Sequence, residues 1–216
     1  MFKKILVAED LKGINEGIIS FLNENLEIET IELVQYCDDA YLRYKKAILD
    51  EDPYDLLITD LSFESDYRTQ KLTSGDQLAT KIRETDSEIK IIIYSVEKRL
   101  SKIRRLVRTV GLNGYVCKGR NGLDELLICI QEVYNGDTYL SPEARPALTK
   151  KDITELDDND IEIIRHLSNG HIQKDIAKLM FTSTSSVEKR LNALKIVFRA
   201  KNTTHLVSII KDLGLI

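Results

Sequence analysis

Glu9 and Asp10, Asp60, Ser95 and Lys118 each stand at the end of a short, largely apolar run: Ile5–Ala8, Asp55–Thr59, Ile89–Ser95 and Tyr115–Cys117. Three carboxylates, a hydroxyl and an amine gathered on one rim suit phosphoryl transfer. Crowded carboxylates repel unless a hard cation sits among them, and Mg²⁺ takes such oxygen ligands. With a cation drawing in a phosphoryl donor, one carboxylate can attack as a nucleophile. The lysine can neutralise phosphoryl oxygens, and the serine can donate to one of them. Taken singly the residues are ordinary: Asp10 reads as a helix N-cap and Lys118 as a solvated loop lysine. Their joint placement at the ends of four runs is what singles them out.

The elements that must position them are legible as strand–helix repeats up to about residue 137. The runs are continuously apolar rather than alternating, as expected of strands buried on both faces of a parallel sheet. Ile28–Val34 is a weaker strand. Ile14, Ile18, Ile19, Leu22 and Leu26 recur at helical spacing, and further helices are expected over 38–50, 75–84, 97–110 and 123–135. The economical fold is a five-stranded doubly wound α/β sheet, which binds ligands at the carboxyl ends of its strands. Residues 138–152 hold Pro142 and Pro146 without strong periodicity and read as a linker. The remainder, 153–216, reads as all helical, over 158–168, 172–180, 184–198 and 204–213.

The chain has 216 residues and a formal charge of −4, which conceals a division. Residues 1–137 carry 19 basic and 25 acidic side chains, whereas 163–216 carry nine basic and three acidic. An acidic α/β domain joined to a basic helical one is the pattern of a regulated nucleic-acid binder. No apolar run approaches the roughly 18 residues of a membrane span, and the N-terminus does not read as a signal peptide. Cys37, Cys117 and Cys129 are far apart, without a metal or disulfide pattern. A cytoplasmic setting follows.

The segments Val7-Ala8-Glu9-Asp10, Leu57-Ile58-Thr59-Asp60, Ile93-Tyr94-Ser95 and Gly114-Tyr115-Val116-Cys117-Lys118 resemble those of receiver domains of two-component response regulators. The stretch Gly114–Glu143 is similar to the NarL/FixJ type. The resemblance implies a flavodoxin-like receiver with Asp60 as phosphoacceptor, Asp10 and Asp60 as Mg²⁺ ligands and Glu9 acting through water. It also makes Ser95 and Tyr115 the pair that rearranges, drawn inward by phosphorylation. Phe63 and Glu64 stand where the family carries Met-Pro, and the polar loop Glu64–Ser74 is longer than usual; it either gates partner access or is a surface insertion. The helix over 97–110 carries Lys98, Arg99, Lys102, Arg104, Arg105 and Arg108. It is expected as a solvated basic face, or as one that pairs with Asp124, Glu125 or Glu132 of a second protomer.

In the second domain, Ile172, Ile176, Leu179 and Met180 keep one face apolar, and Ser183 or Thr184 can cap a following helix that buries Val187, Leu191, Leu194 and Phe198. Two helices across a tight turn, with Glu188, Lys189, Asn192 and Lys195 on the outer face of the second, make a helix-turn-helix. The run from Leu156 through Lys174-Asp175-Ile176-Ala177, Ser183, Val187, Leu191 and Asn202 to Leu213-Gly214-Leu215-Ile216 resembles the LuxR-type DNA-binding domain. The candidate DNA contacts are Lys174, Thr184, Ser186, Glu188, Lys189, Asn192 and Lys195. Glu188 replaces a lysine frequent in the family; it would repel a phosphate but accept from a cytosine N4 amine. Phe181 replaces a common turn glycine. These resemblances imply a phosphorylation-controlled transcription regulator with a sensor histidine kinase, promoter DNA and a second copy of itself as partners, no membrane, and Mg²⁺ as cofactor. It would not be a turnover enzyme. Two rivals stand beside this: a pseudo-regulator that works without phosphorylation, and an aspartyl phosphatase of the haloacid dehalogenase kind. The latter wants a carboxylate two residues after the nucleophile, where this chain has Ser62.

Overall fold

The computed structural model describes residues 1–64, 67–149, 156–212 and 215–216. The expected start of the second domain at 153, the Leu213-Gly214 part of its last motif and residues 65 and 66 of the long loop lie outside the described residues. The chain divides into two compact units, one of Met1–Lys98 and Ile103–Leu148 and one of Arg99–Lys102 and Thr149–Ile216.

In the first unit the strands are β1 (Lys4–Ala8), β2 (Thr30–Val34), β3 (Leu56–Thr59), β4 (Lys90–Ser95), β5 (Gly114–Cys117) and β6 (Tyr139–Leu140). All pair in parallel in the order β2-β1-β3-β4-β5-β6. The order reverses between β1 and β3, which opens a crevice beyond their carboxyl ends. Ile5, Val7, Ile58, Ile92 and Val116 share a core with Ile18, Leu22, Leu126, Cys129 and Ile130 of α1 (Lys12–Asn25) and α5 (Gly122–Tyr134). Leu6, Leu57, Ile91 and Ile93 are also buried, so the strands are covered on both faces. The remaining helices are α2 (Cys37–Leu49), α3 (Gly75–Thr85), α4 (Leu100–Val110) and the short α6 (Pro146–Thr149).

Three expectations are corrected. The sheet has six strands, not five: the segment read as linker adds β6 beside β5, with Gly114 opposite Tyr139 and Tyr115 opposite Leu140. The helix expected from 97 begins at Leu100, because the Glu97 backbone is already engaged. Its N–H donates to Ser95 Oγ at 3.4 Å and its C=O accepts from Tyr115 Oη at 2.8 Å. Arg104, placed by sequence on a solvated basic face, is 5% exposed and donates Nε to the Ala147 carbonyl at 2.5 Å.

The second unit packs α7 (Asp158–Ser168), α8 (Gln173–Leu179), α9 (Thr184–Val197) and α10 (Thr203–Asp212) around Ile161, Ile164, Ile176, Val187, Leu191, Leu194, Leu206 and Ile210. Asp157 caps α7 by accepting from Asp160 N at 2.7 Å, and Arg190 of α9 reaches both Asp157 and Asp160 at 2.6 and 2.8 Å. That bridge fixes the angle between α9 and the start of α7.

Candidate functional site

The ends of β1, β3 and β5 bring Glu9, Asp60 and Lys118 together. The Lys118 ammonium lies 2.5 Å from Glu9 Oε2 and 2.6 Å from Asp60 Oδ2, with the three side chains only 8%, 2% and 7% exposed for Lys118, Glu9 and Asp60. The ammonium also lies over the Tyr94 ring, 5.4 Å from its centre. Asp60 Oδ1 accepts from the backbone N–H groups of Leu61 at 2.5 Å and Ser62 at 3.3 Å. Every oxygen of Asp60 is thus aimed. Burial raises the Glu9 carboxyl above its ordinary value and the Asp60 charge adds to this, while the hydrogen bond and charge of Lys118 oppose it.

Asp10 sits apart from this triad. Its Oδ2 accepts from the Glu64 backbone N–H at 2.7 Å. Asp10, Asp60, Ser62, Phe63, Glu64, Val96 and Lys118 line one pocket of about 220 Å³. Among the described residues no three carboxylates, histidines or cysteines are gathered as a ready ligand cluster. The donor set nevertheless fits Mg²⁺. It is all oxygen, as that ion requires, and Glu9 Oε1 is buried with no hydrogen-bond partner. An orphaned carboxylate oxygen costs free energy unless something ligates it.

Ser95 is fully buried, at the end of β4. Tyr115 is fully buried too. Gly75, the first residue of α3, was not singled out by sequence. A Cβ there would lie 1.7 Å from the Asp60 carbonyl oxygen and 2.8 Å from Thr59 Oγ1. Only glycine lets α3 start against the backbone of Asp60. The Cys37 thiol is pushed up to about 12 by burial and by the nearby acids, chiefly Asp38, and the three cysteines are buried and free, with no reactive thiolate among them.

In the helical unit, α8 and α9 meet across a turn in which Phe181 takes a φ of 51°, the left-handed conformation a glycine adopts without strain. Ser183 caps α9, accepting from Ser186 N at 3.1 Å. Val187, Leu191 and Leu194 face inward, leaving Thr184, Glu188, Lys189 and Asn192 exposed, with Ser186 and Lys195 half-buried. Lys174 is exposed on α8. All seven candidate DNA contacts therefore belong to the paired helices or their cap, and none is in the core.

Comparison with known proteins follows this geometry. No protein-family model matches the chain. It is 27% identical over 220 residues to the oxygen regulatory protein NreC of Staphylococcus epidermidis (strain ATCC 12228 / FDA PCI 1200), covering 94% of each chain. It is 29% identical over 200 residues to NreC of Staphylococcus carnosus (strain TM300), covering 86% of each. Its fold matches the Salmonella typhimurium RcsB response regulator with a TM-score of 0.64 at 18% identity, over 97% of this chain and 99% of that one. A structure of two RcsB dimers bound to two parallel DNAs matches with a TM-score of 0.63 at 18% identity, over 97% and 98%. Over nearly its whole length the chain is similar to the NreC regulatory proteins, and its fold is that of RcsB, a response regulator.

The strand-end carboxylates and lysine are assembled in two groups, Glu9–Lys118–Asp60 and Asp10–Glu64, and Asp10, Asp60, Glu64 and Lys118 line one pocket. Sequence missed the second group because the Glu64 partner is a backbone N–H, which any residue supplies. It missed Ser141 as well. That fully buried side chain accepts from Cys117 N at 3.1 Å and so ties the segment after α5 to the strand that carries Tyr115. No helix among the described residues is long and apolar enough to cross a membrane.

Proposed function

We propose that this chain is a DNA-binding transcription regulator switched by phosphorylation of Asp60, acting in the cytoplasm. The observation that carries the reading is the Asp60 carboxylate, buried at a strand end and held at 2.6 Å by Lys118. The Asp60 carboxylate attacks the phosphorus of a phosphohistidine or a small acyl phosphate, and the bond from phosphorus to the donor's nitrogen or oxygen breaks. Lys118, already on Asp60, neutralises the transferred oxygens, while the Leu61 and Ser62 N–H groups hold the other carboxylate oxygen. Asp10, Asp60 and Glu9 would hold Mg²⁺, with Glu9 acting through water. When bound, the cation offsets the charge of the carboxylates and the phosphoryl group. Ser95 donates to the phosphoryl group, and the Ser95–Glu97–Tyr115 hydrogen bonds are the link that transmits the change. The chain phosphorylates itself at one site per copy, so it does not turn over substrate as an enzyme does.

The output unit meets promoter DNA through α9, with Lys174, Thr184, Ser186, Glu188, Lys189, Asn192 and Lys195 as the contacts. A homodimer formed on phosphorylation would place two such helices on a two-fold site. RcsB, which shares the fold, was solved as dimers on DNA, and the NreC relatives carry the name of a regulatory protein. The test is Mg²⁺-dependent incorporation from acetyl phosphate, with promoter binding measured before and after. Incorporation lost in Asp60→Ala and binding strengthened by phosphorylation are expected. Full incorporation in Asp60→Ala, or DNA binding indifferent to phosphorylation, would overturn the reading.

A further inference from the structure

The long loop after β3 is pinned at several points to the amino end of α2. Both oxygens of Asp38 accept from loop backbone, Oδ2 from Lys71 N at 2.8 Å and Oδ1 from Leu72 N at 3.0 Å. Arg68 forks onto both oxygens of Asp39 at 2.9 and 2.7 Å, its guanidinium 4.5 Å from the centre of the Tyr36 ring. The two ends of the loop are closed by a bridge between Ser62 and Ser74. Asp38 and Asp39 lie in the first turn of α2, where the helix dipole favours negative charge, so the anchor is preformed. At its other end the loop delivers the Glu64 N–H to Asp10 and supplies Ser62, Phe63 and Glu64 to the wall of the acidic pocket.

The Glu64 N–H takes one of the lone-pair sites of the Asp10 carboxylate and draws charge from it, which weakens that carboxylate as a cation ligand. We propose that Arg68 and Asp39 are positioning residues for the metal site: by fastening the loop to α2 they keep the Glu64 N–H on Asp10, so that the loop competes with the divalent cation for that carboxylate. The proposal rests on the reading of Asp10 as a cation ligand. It assigns the insertion a task within the receiver's own chemistry: it tunes metal affinity, and through it the readiness of Asp60 to accept a phosphoryl group.

The test is the affinity of the full-length chain for Mn²⁺, followed by the loss of the free-ion paramagnetic resonance signal, which needs no phosphoryl transfer. Arg68→Ala and Asp39→Ala, which undo the clamp from opposite sides, should each tighten Mn²⁺ binding about three- to tenfold, the share of one charge-assisted hydrogen bond that the cation recovers. The paired exchange D39R with R68D restores an ion pair of the same span and should return the affinity towards the wild-type value, which general loosening of the fold would not do. Lys81→Ala, at an exposed ion pair on α3, should leave it unchanged. Wild-type or weaker affinity in both alanine variants would overturn the competition. Asp10→Ala that binds Mn²⁺ as well as wild type would instead remove Asp10 from the ligand set, and the proposal with it.

Discussion

Gly75→Ala adds one methyl against the backbone of Asp60, the residue proposed to accept the phosphoryl group, and leaves its carboxylate unaltered. The added methyl would lie 1.7 Å from the Asp60 carbonyl oxygen, so α3 must retreat by 1.3 Å merely to reach the 3.0 Å below which Cβ atoms are essentially never found. That retreat strains the Gly75 N–H bond to the Leu61 carbonyl, now 3.1 Å, and the Ser62–Ser74 bridge beside it. Overpacking of this kind costs about 1–3 kcal/mol and the lost hydrogen bond about 1 kcal/mol. The better helix propensity of alanine returns up to about 1 kcal/mol. The net loss is about 1–3 kcal/mol, read from denaturant midpoints of the full chain. The chemical cost should be larger in proportion. A shift near 1 Å in the backbone that orients Asp60 towards Lys118 lowers acetyl phosphate labelling by about 100-fold. Gly17→Ala is the control: a Cβ there meets nothing within 4 Å, and the exposed helical position should gain about 0.5–1 kcal/mol. Gly75→Ala with wild-type midpoint and labelling rate would show that the close approach does not constrain the site.

Lys118→Ala should destabilise the receiver by about 3–5 kcal/mol, since it leaves two buried carboxylates without their cation; millimolar Mg²⁺ should restore more of the melting temperature in this variant than in wild type. Arg190→Ala should cost the helical unit about 1 kcal/mol, as an exposed pair does at the upper end of its range, measured by hydrogen exchange of α7 and α9. Burial pushes the Asp157 carboxyl up, but the hydrogen bond and charge of Arg190, together with the Asp160 and Asn159 backbone N–H groups, hold it below its ordinary 3.8. The contribution is therefore present above that pH, and the gap between wild type and variant should close as the pH falls below it. Glu188→Ala should relax preference at one base pair per half-site by about 1–3 kcal/mol, and Glu188→Lys should raise affinity for all DNA and steepen the salt dependence. A binding-site selection with an unchanged consensus would remove Glu188 from base reading.

Strands β1, β3 and β4 were legible because burial on both faces makes them continuously apolar. Phe181 was legible as a departure, and its left-handed φ follows from the glycine it replaces. What escaped were features set by approach in three dimensions. Gly75 matters only because α3 closes on Asp60. β6 has two residues in a proline-bearing segment and becomes a strand only because β5 offers its edge. Arg104 was read as solvated from its charge, but it is buried and its Nε donates to the Ala147 carbonyl. Which backbone N–H Asp10 meets depends on the path of a loop that carries no periodic signal.

The stitching of the segment after α5 has a consequence for how such proteins are assembled from parts. Ser141 donates its N–H to the Tyr115 carbonyl at 2.9 Å and accepts from Cys117 N, and Arg104 holds Ala147 a few residues further on. A gene fusion or an engineered chimera joined at the end of α5 would therefore strip β5 of its neighbour, bare an unpaired strand edge that invites aggregation, and leave Arg104 without its acceptor. A joint placed after Leu148 transfers a finished receiver. Output modules on this scaffold are exchangeable only downstream of that point, so the portable unit of inheritance is longer than the chemistry it carries.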